Sequence, residues 1–278
     1  MPSDPAPLEI LPLIGIPEVS PGDDLAGLLA AAATGSRIGL DDGDVLVVSS
    51  KVVSKALGLR SPDEDRESVV RQESRYVVAE RRAGEVTTRI VRASAGPVMA
   101  AAGVDASNTG GDPVVLRLPH DPDGVCRDLR ERLRTRHDAG RIAVVLTDTA
   151  GRPWRIGQTD FALGAAGLRC VDDLRGRLDA DGRPLHVTSR AVADELAAAA
   201  DLVKGKTARC PAVVVRGLAH LVEDDDGPGA TALLRVGDGD WFGYGAAEAV
   251  RASLGVEPGS AAAQVVGVAA TGPEPLPD

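Results

Sequence analysis

Aromatic side chains are nearly missing from this 278-residue chain, at 2% of the total. With 44% hydrophobic residues, its core has to be assembled from Ala, Val, Leu and Ile. Trp154 and Phe161 lie close together, and Trp241, Phe242 and Tyr244 cluster late. Scarce aromatics fill cores more often than they mark sites. Cysteine is also scarce: Cys126, Cys170 and Cys210 are odd in number and far apart. That excludes a disulfide framework and paired metal ligands, and suits packed, reduced thiols of a cytoplasmic protein. No apolar run reaches the roughly 18 residues of a spanning helix, so no membrane association is expected. The start, Met1-Pro2-Ser3-Asp4-Pro5, lacks the basic and apolar regions of a secretory signal.

Positive charge is in deficit, with a formal net charge of −10. A chain this acidic is a poor partner for nucleic acid, where affinity comes from neutralising phosphates, although a local basic pocket for a small phosphorylated ligand remains compatible. His120, His137, His186 and His220 are isolated, with no metal-ligand spacing. No nucleophile-elbow pattern supports a serine hydrolase, and no glycine-rich fingerprint supports a dinucleotide-binding dehydrogenase. Gly205-Lys206-Thr207 resembles the end of a phosphate-binding P-loop, but the glycine required upstream is Ala200.

What is present alternates between strand-like and helix-like segments. Leu8 to Ile14, Val45 to Ser49, Thr87 to Ala93, Ile142 to Leu146 and Ala212 to Arg216 read as strands. Leu25 to Ala33, Gly124 to Ala139 and Ala191 to Val203 read as helices, the first with Asp23 and Asp24 as candidate caps and Gly35 as a stop. Ser61 to Arg82 also reads as a helix, charged and free of Gly and Pro after Pro62. Asp63, Glu64 and Asp65 in its first turn and Arg81 and Arg82 in its last suit the helix dipole. The acidic stretch Glu223 to Gly229 reads as a surface loop or linker. The expected organisation is a poorly ordered arm over residues 1–7, one domain over 8–257 and a flexible tail over 258–278.

The densest chemistry follows the Ile142 strand, in the run Asp148-Thr149-Ala150-Gly151-Arg152-Pro153-Trp154-Arg155-Ile156-Gly157-Gln158-Thr159-Asp160. Polar residues at the carboxyl end of a buried strand, followed by a structured loop, mark a ligand crevice in open α/β sheets. Ser49-Ser50-Lys51-Val52-Val53-Ser54-Lys55 also follows a strand, and its hydroxyls and ammonium groups suit phosphate. Taken alone it reads better as a solvated lysine pair at a turn. In a glycine-flanked loop, Asp105 and Asn108 either satisfy local amides in an Asx-turn, or Asp105 joins Asp148 as a hard-oxygen set for Mg²⁺ or Mn²⁺. Lys204 and Lys206 could touch phosphate, but lysine at a helix C-terminus is the simpler reading.

Together these segments resemble the coenzyme F-420-0:L-glutamate ligases of CofE type, which add γ-linked glutamate to a deazaflavin coenzyme. The resemblance is carried by Leu11 to Pro17, Val45 to Lys55, Gly103 to Asn108, Thr147 to Gly167 and Pro211 to Gly217, in order over roughly residues 8–255. It implies a mixed α/β (α+β) fold in an intertwined homodimer, in the stand-alone form without the C-terminal nitroreductase-like domain of some relatives. It also implies GTP as co-substrate, Mg²⁺ or Mn²⁺, and K⁺ as a further ion. Carried over, Asp105 and Asp148 ligate the first metal and Thr149 touches the second. Gly15, Ile16, Pro17, Ser49, Ser50, Lys55 and Asn108 line the nucleotide site, with Lys204, Gly205 and Lys206 beside it. Some relatives carry an acidic or amide metal ligand near Gly205, where this chain has lysines, and an ammonium cannot ligate a metal.

The implied reaction activates a carboxylate as an acyl phosphate, which the glutamate amine then displaces. Arg152 and Arg155 are expected to hold a substrate carboxylate or phosphodiester, because planar forks suit such anions. Trp154 either stacks on an aromatic ligand or packs beneath its loop. Two alternatives remain: a ligase for a different acceptor, and a non-catalytic nucleotide- or deazaflavin-binding homologue.

Overall fold

The polar run after Ile142 is not a loop: Ala143–Arg152 and Arg155–Ala166 form one long antiparallel hairpin. The computed structural model describes residues 7–84, 86–109, 111–137, 140–152, 154–236 and 240. Residues 1–6, the tail over 258–278, and Trp241, Phe242 and Tyr244 lie outside the described residues. In chain order the strands are β1 (Glu9–Pro12), β2 (Val45–Ser49), β3 (Arg60–Pro62), β4 (Ser74–Ala83), β5 (Val86–Ala93), β6 (Val98–Ala100), β7 (Val114–Leu116), β8 (Ala143–Arg152), β9 (Arg155–Ala166), β10 (Asp172–Asp173), β11 (Ser189–Arg190) and β12 (Ala212–Arg216). The helices are α1 (Leu25–Gly35), α2 (Ser50–Ala56), α3 (Arg66–Gln72), α4 (Pro122–His137) and α5 (Val192–Lys204). The mixed α/β class agrees with the sequence reading.

The central sheet has the order β1-β12-β2-β8-β9, and only the β2–β8 pair is parallel. Its middle strands are continuous apolar runs because both faces are covered. Leu46, Val48, Val144, Leu146 and Val214 share a core cluster with Leu29 of α1, Val53 of α2 and Leu133 of α4. On the opposite face Val45, Val47, Val145, Val213 and Val215 share a second cluster with Leu196 and Ala200 of α5. The core is thus aliphatic, as the shortage of aromatics requires; Phe161 packs against it, whereas Trp154 is 88% exposed and not packed beneath the turn of its own chain.

One sequence reading is corrected and another narrowed. The charged segment Ser61 to Arg82 is not one helix: α3 covers only Arg66–Gln72, and Ser74–Ala83 is a strand that pairs with β5. Glu73 caps the helix, and its carboxylate receives Arg117 at 3.3 Å and His120 at 2.7 Å. Tyr76, Val77 and Val78 then supply the β-branched and aromatic character of a strand. Arg81 and Arg82 sit on that strand, opposite Thr88 and Thr87, so the helix-dipole reading of them fails. For Glu223 to Gly229 the structure narrows the reading, surface loop or linker, to the loop. Arg130, 3% exposed, binds Asp226 at 2.7 Å and the carbonyls of Glu223 and Asp224, which pins the loop onto α4.

Other expectations hold. Asp24 is the N-cap of α1 and accepts the Gly27 amide at 3.2 Å, while Asp23 accepts the Ser20 amide instead. Gly164 answers a close approach, since a Cβ there would lie 2.4 Å from the Pro122 carbonyl oxygen. Among the described residues no helix is long and apolar enough to cross a membrane. All three cysteines are free and buried.

Candidate active site

Strand alternation divides the chemistry at the end of β8 between the two faces of the sheet. Asp148 follows Val144 and Leu146 on the face covered by α1, α2 and α4. Thr147 and Thr149 follow Val145 on the face covered by α5. Because β2 and β8 are parallel and in register at Ser49 and Thr147, Ser50 at the start of α2 reaches Asp148. Its hydroxyl donates to Asp148 Oδ1 at 3.1 Å.

Asp105 approaches from the loop after β6. Its Oδ1 accepts the Ser107 amide at 2.7 Å, so the Asx-turn does form. Its Oδ2 also meets Lys51 Nζ at 2.7 Å. Burial pushes the Asp105 carboxyl up, but Lys51 and the Ser107 amide outweigh it and hold the group below its ordinary value. Asp148 behaves oppositely: burial pushes it up to about 6, the Ser50 hydroxyl and Thr149 amide oppose, and the charges of Asp105 and Asp160 raise it further.

On the other face, β9 returns Asp160 opposite Thr149. Asp160 Oδ1 accepts Thr149 Oγ1–H at 2.6 Å, and Oδ2 accepts Thr147 Oγ1–H at 2.9 Å. Lys204, in the last turn of α5, donates to Asp160 Oδ2 at 2.7 Å and Thr147 Oγ1 at 2.6 Å. Both partners are buried, at 4% and 5% side-chain exposure. Burial raises Asp160, but the charge and hydrogen bond of Lys204 and the two threonines outweigh it, leaving the carboxyl below its ordinary value. Lys204 thus lies in the last turn of α5, as the simpler sequence reading has it, with its ammonium turned into the interior. Gly205 ends the helix at φ +57°, a conformation that favours glycine, and Lys206 then donates to Thr149 Oγ1 at 2.6 Å.

Part of this set borders a cavity of about 1020 Å³, whereas Asp105, Asp148, Ser50 and Thr147 are not among its lining residues. Ile16, Pro17, Ser49, Lys51, Lys55, Asn108, Thr149, Asp160, Lys204, Gly205 and Lys206 line it. Lys55 is buried and paired with Glu18. Gly15, at φ +86°, shapes the turn into Ile16 and Pro17 rather than forming the cavity wall. Arg152 and Arg155 face each other as Cα partners near the hairpin tip, exposed and outside this cavity. Four residues of strand separate Arg152 from Asp148, roughly 13 Å. Asp160, Thr147 and Lys51 were not singled out by sequence reasoning. The only signal for Asp160 was its place in the polar run, which gains meaning once the hairpin register is known. A smaller cavity of about 580 Å³, lined by Leu25, Val53, Arg117 and His120 among others, lies on the other side of α2.

The donor set decides which metal positions fit. Asp105 and Asp148 offer hard carboxylate oxygens of the kind that hold one Mg²⁺ or Mn²⁺, and Asp148 senses the charge of Asp105, on which Lys51 already sits. No group of three or more His, Cys, Asp or Glu that could hold a metal occurs among the described residues. At Thr149 the Lys206 ammonium donates to the hydroxyl and would repel a second divalent cation there.

A family model described as F420-0:Gamma-glutamyl ligase matches residues 13–62 and 59–217. A coenzyme F420:L-glutamate ligase of Archaeoglobus fulgidus is 39% identical over 226 residues, covering 76% of this chain and 88% of the relative. That of Methanopyrus kandleri is 40% identical over 256 residues, covering 86% and 96%. That of Natronomonas pharaonis is 38% identical over 230 residues, covering 75% and 86%. Matches of this extent, with the carboxylates and lysines gathered at one strand end, show that the chain belongs to the F420-0:gamma-glutamyl ligase family, enzymes that form carbon–nitrogen bonds.

Proposed function

We propose that the protein joins the amine of L-glutamate, in γ linkage, to a carboxylate of the coenzyme F420 precursor, with GTP as co-substrate. Its relatives, named coenzyme F420:L-glutamate ligases, support this acceptor and donor. The observation that carries the nucleotide part is the cavity itself: the cations Lys51, Lys55, Lys204, Lys206 and Arg209 line it and outnumber the carboxylates Glu18, Asp160 and Asp201, in a chain of net charge −10. So local a concentration of positive charge suits a polyphosphate.

The chemistry needs an activated acyl group. The acceptor carboxylate attacks the γ-phosphorus of GTP, an acyl phosphate forms and GDP leaves. The glutamate amine then attacks the acyl carbon, the C–O bond breaks, inorganic phosphate leaves and the amine gives up a proton. Phosphoryl transfer depends mainly on positioning and charge neutralisation. A divalent cation held by Asp105 and Asp148 would supply neutralisation at the phosphates. Lys51 holds Asp105 ionised, Ser50 orients Asp148, and Lys206 adds positive charge at the cavity wall. Ile16, Pro17, Ser49, Lys55 and Asn108 bound the space for the nucleotide. Arg152 and Arg155 serve the acceptor, either by movement of the hairpin or across a homodimer interface. A dimer is also supported by Trp154 and Ile156, both large, apolar and exposed on the single chain.

Incubation with the precursor, glutamate, GTP and Mn²⁺, followed by mass analysis, tests the reading. Glutamyl additions with matching GDP release are expected, and Asp148→Asn should abolish both while circular dichroism stays unchanged. Turnover by Asp148→Asn at the wild-type rate, or GDP release without any glutamyl product, would reject it.

A further inference from the structure

The two faces of β8 differ in what their carboxylates have to pair with. On the Asp148 face, Asp148 receives a hydroxyl and an amide but no ammonium contact, while Asp105 is paired with Lys51. On the Thr149 face the acid is already satisfied, since Asp160 and Lys204 are buried against each other. The polarity of the Thr149 hydroxyl follows. Its proton is donated to Asp160 Oδ1, which leaves its lone pairs as acceptors, and Lys206 donates to one of them. A divalent ion on the remaining lone pair would meet the Lys206 ammonium at close range, and the carboxylate that holds Thr149 is already paired with Lys204.

We infer that Lys206, seated on Thr149, supplies the positive charge that a second divalent cation would otherwise bring, so that the nucleotide-loaded protein holds one divalent cation per chain. The inference rests on the GTP-binding reading above. Lys204 and Lys206 divide the work by burial. Lys204 neutralises Asp160 from inside the fold and removes it as a metal ligand, whereas Lys206, exposed beyond Gly205, presents its charge to the cavity. The glycine makes this possible, because its left-handed backbone stops α5 between the two lysines and turns the second one back over Thr149.

The test is a metal count, independent of turnover. Wild-type protein is saturated with the β,γ-imido analogue of GTP and titrated with Mn²⁺, and bound manganese is counted by equilibrium dialysis and electron paramagnetic resonance. One tightly bound Mn²⁺ per chain is expected, without the spin coupling of a metal pair. The exposed variant Lys206→Glu, which exchanges the ammonium for a carboxylate, should bind two. Two in the wild type would overturn the inference while leaving the GTP reading intact. So would a Lys206→Glu protein that binds the analogue yet stays at one. Failure of the wild type to bind the analogue with any Mn²⁺ would instead overturn the GTP reading, and the inference with it.

Discussion

Asp160 lies directly opposite Thr149 across the β8–β9 hairpin and accepts its hydroxyl at 2.6 Å, while its other oxygen holds the buried Lys204 at 2.7 Å. Eleven residues separate the two in sequence, and the strand register alone makes them neighbours. This small network joins the hairpin to the end of α5, so it bears on stability as well as on chemistry.

Removing one member of the buried pair strands the other. Asp160→Ala or Lys204→Met should each cost about 3–5 kcal/mol, because an uncompensated buried charge is left behind. Replacing both together with Leu and Met should recover a large part of that loss. Urea unfolding of the three variants measures this, and equal losses in single and double variants would contradict it.

Thr149→Val removes a hydroxyl that serves Asp160 and Lys206 while nearly keeping the shape. Asp160 retains Lys204 and Thr147, so the stability cost should be about 1 kcal/mol. Nucleotide affinity, read by titration with the imido analogue, should fall more clearly than the melting temperature does.

Asp194 supplies a pH test. Burial raises its carboxyl above the ordinary value despite the Ala162 amide it accepts at 2.9 Å. A group raised on folding stabilises when protonated, so this contribution is complete below the unfolded value near 3.8 and is lost as pH rises through the folded value. Asp194→Asn keeps an oxygen acceptor for Ala162 without the buried charge. It should melt higher than the wild type at pH 7, with the difference shrinking towards pH 3. A gap that widens on acidification would show the sign to be wrong.

The thiols should be silent in the native protein. Burial, with the negative charge of Asp123 next in effect, pushes Cys126 far up and Cys170 up to about 12, and burial also raises Cys210. Since thiolate is the reactive form, a disulfide reagent should label none of the three at pH 7.5 and all three in guanidinium chloride. Rapid labelling of the folded protein would disprove the packing described for them.

At the hairpin tip, Arg152→Ala and Arg155→Ala should change stability by less than about 0.5 kcal/mol, since both are exposed. If the arginines address the acceptor, its KM rises in both variants while that for GTP stays unchanged. A rise in the KM for GTP alone would assign them to the nucleotide instead.

Local pattern carried much of this protein. The apolar runs of β2, β8 and β12, the α1 cap at Asp24 and the Ala-rich α5 follow from side-chain periodicity and short-range hydrogen bonding, which the sequence contains in full. So does the shortage of aromatics, which dictated an aliphatic core before any packing was known. The segment from Ser61 to Arg82 shows where such reasoning stops. Its charges suit a helix, but pairing with the next strand, β5, and the anchoring of Glu73 by the distant Arg117 and His120 make its second part a strand.

The site divides the same way. Asp148, Asp105, Ser50 and the lysines were legible as polar residues at strand ends and turns. Their grouping was not, because it depends on register and on which face of the sheet each side chain takes. Tertiary structure alone sent Asp148 towards Ser50 and Thr149 towards Asp160, returned Lys204 into the interior, and set Lys206 on the hydroxyl where a metal would have been expected. Those contacts span between 11 and 98 positions of chain, beyond the reach of any local periodicity.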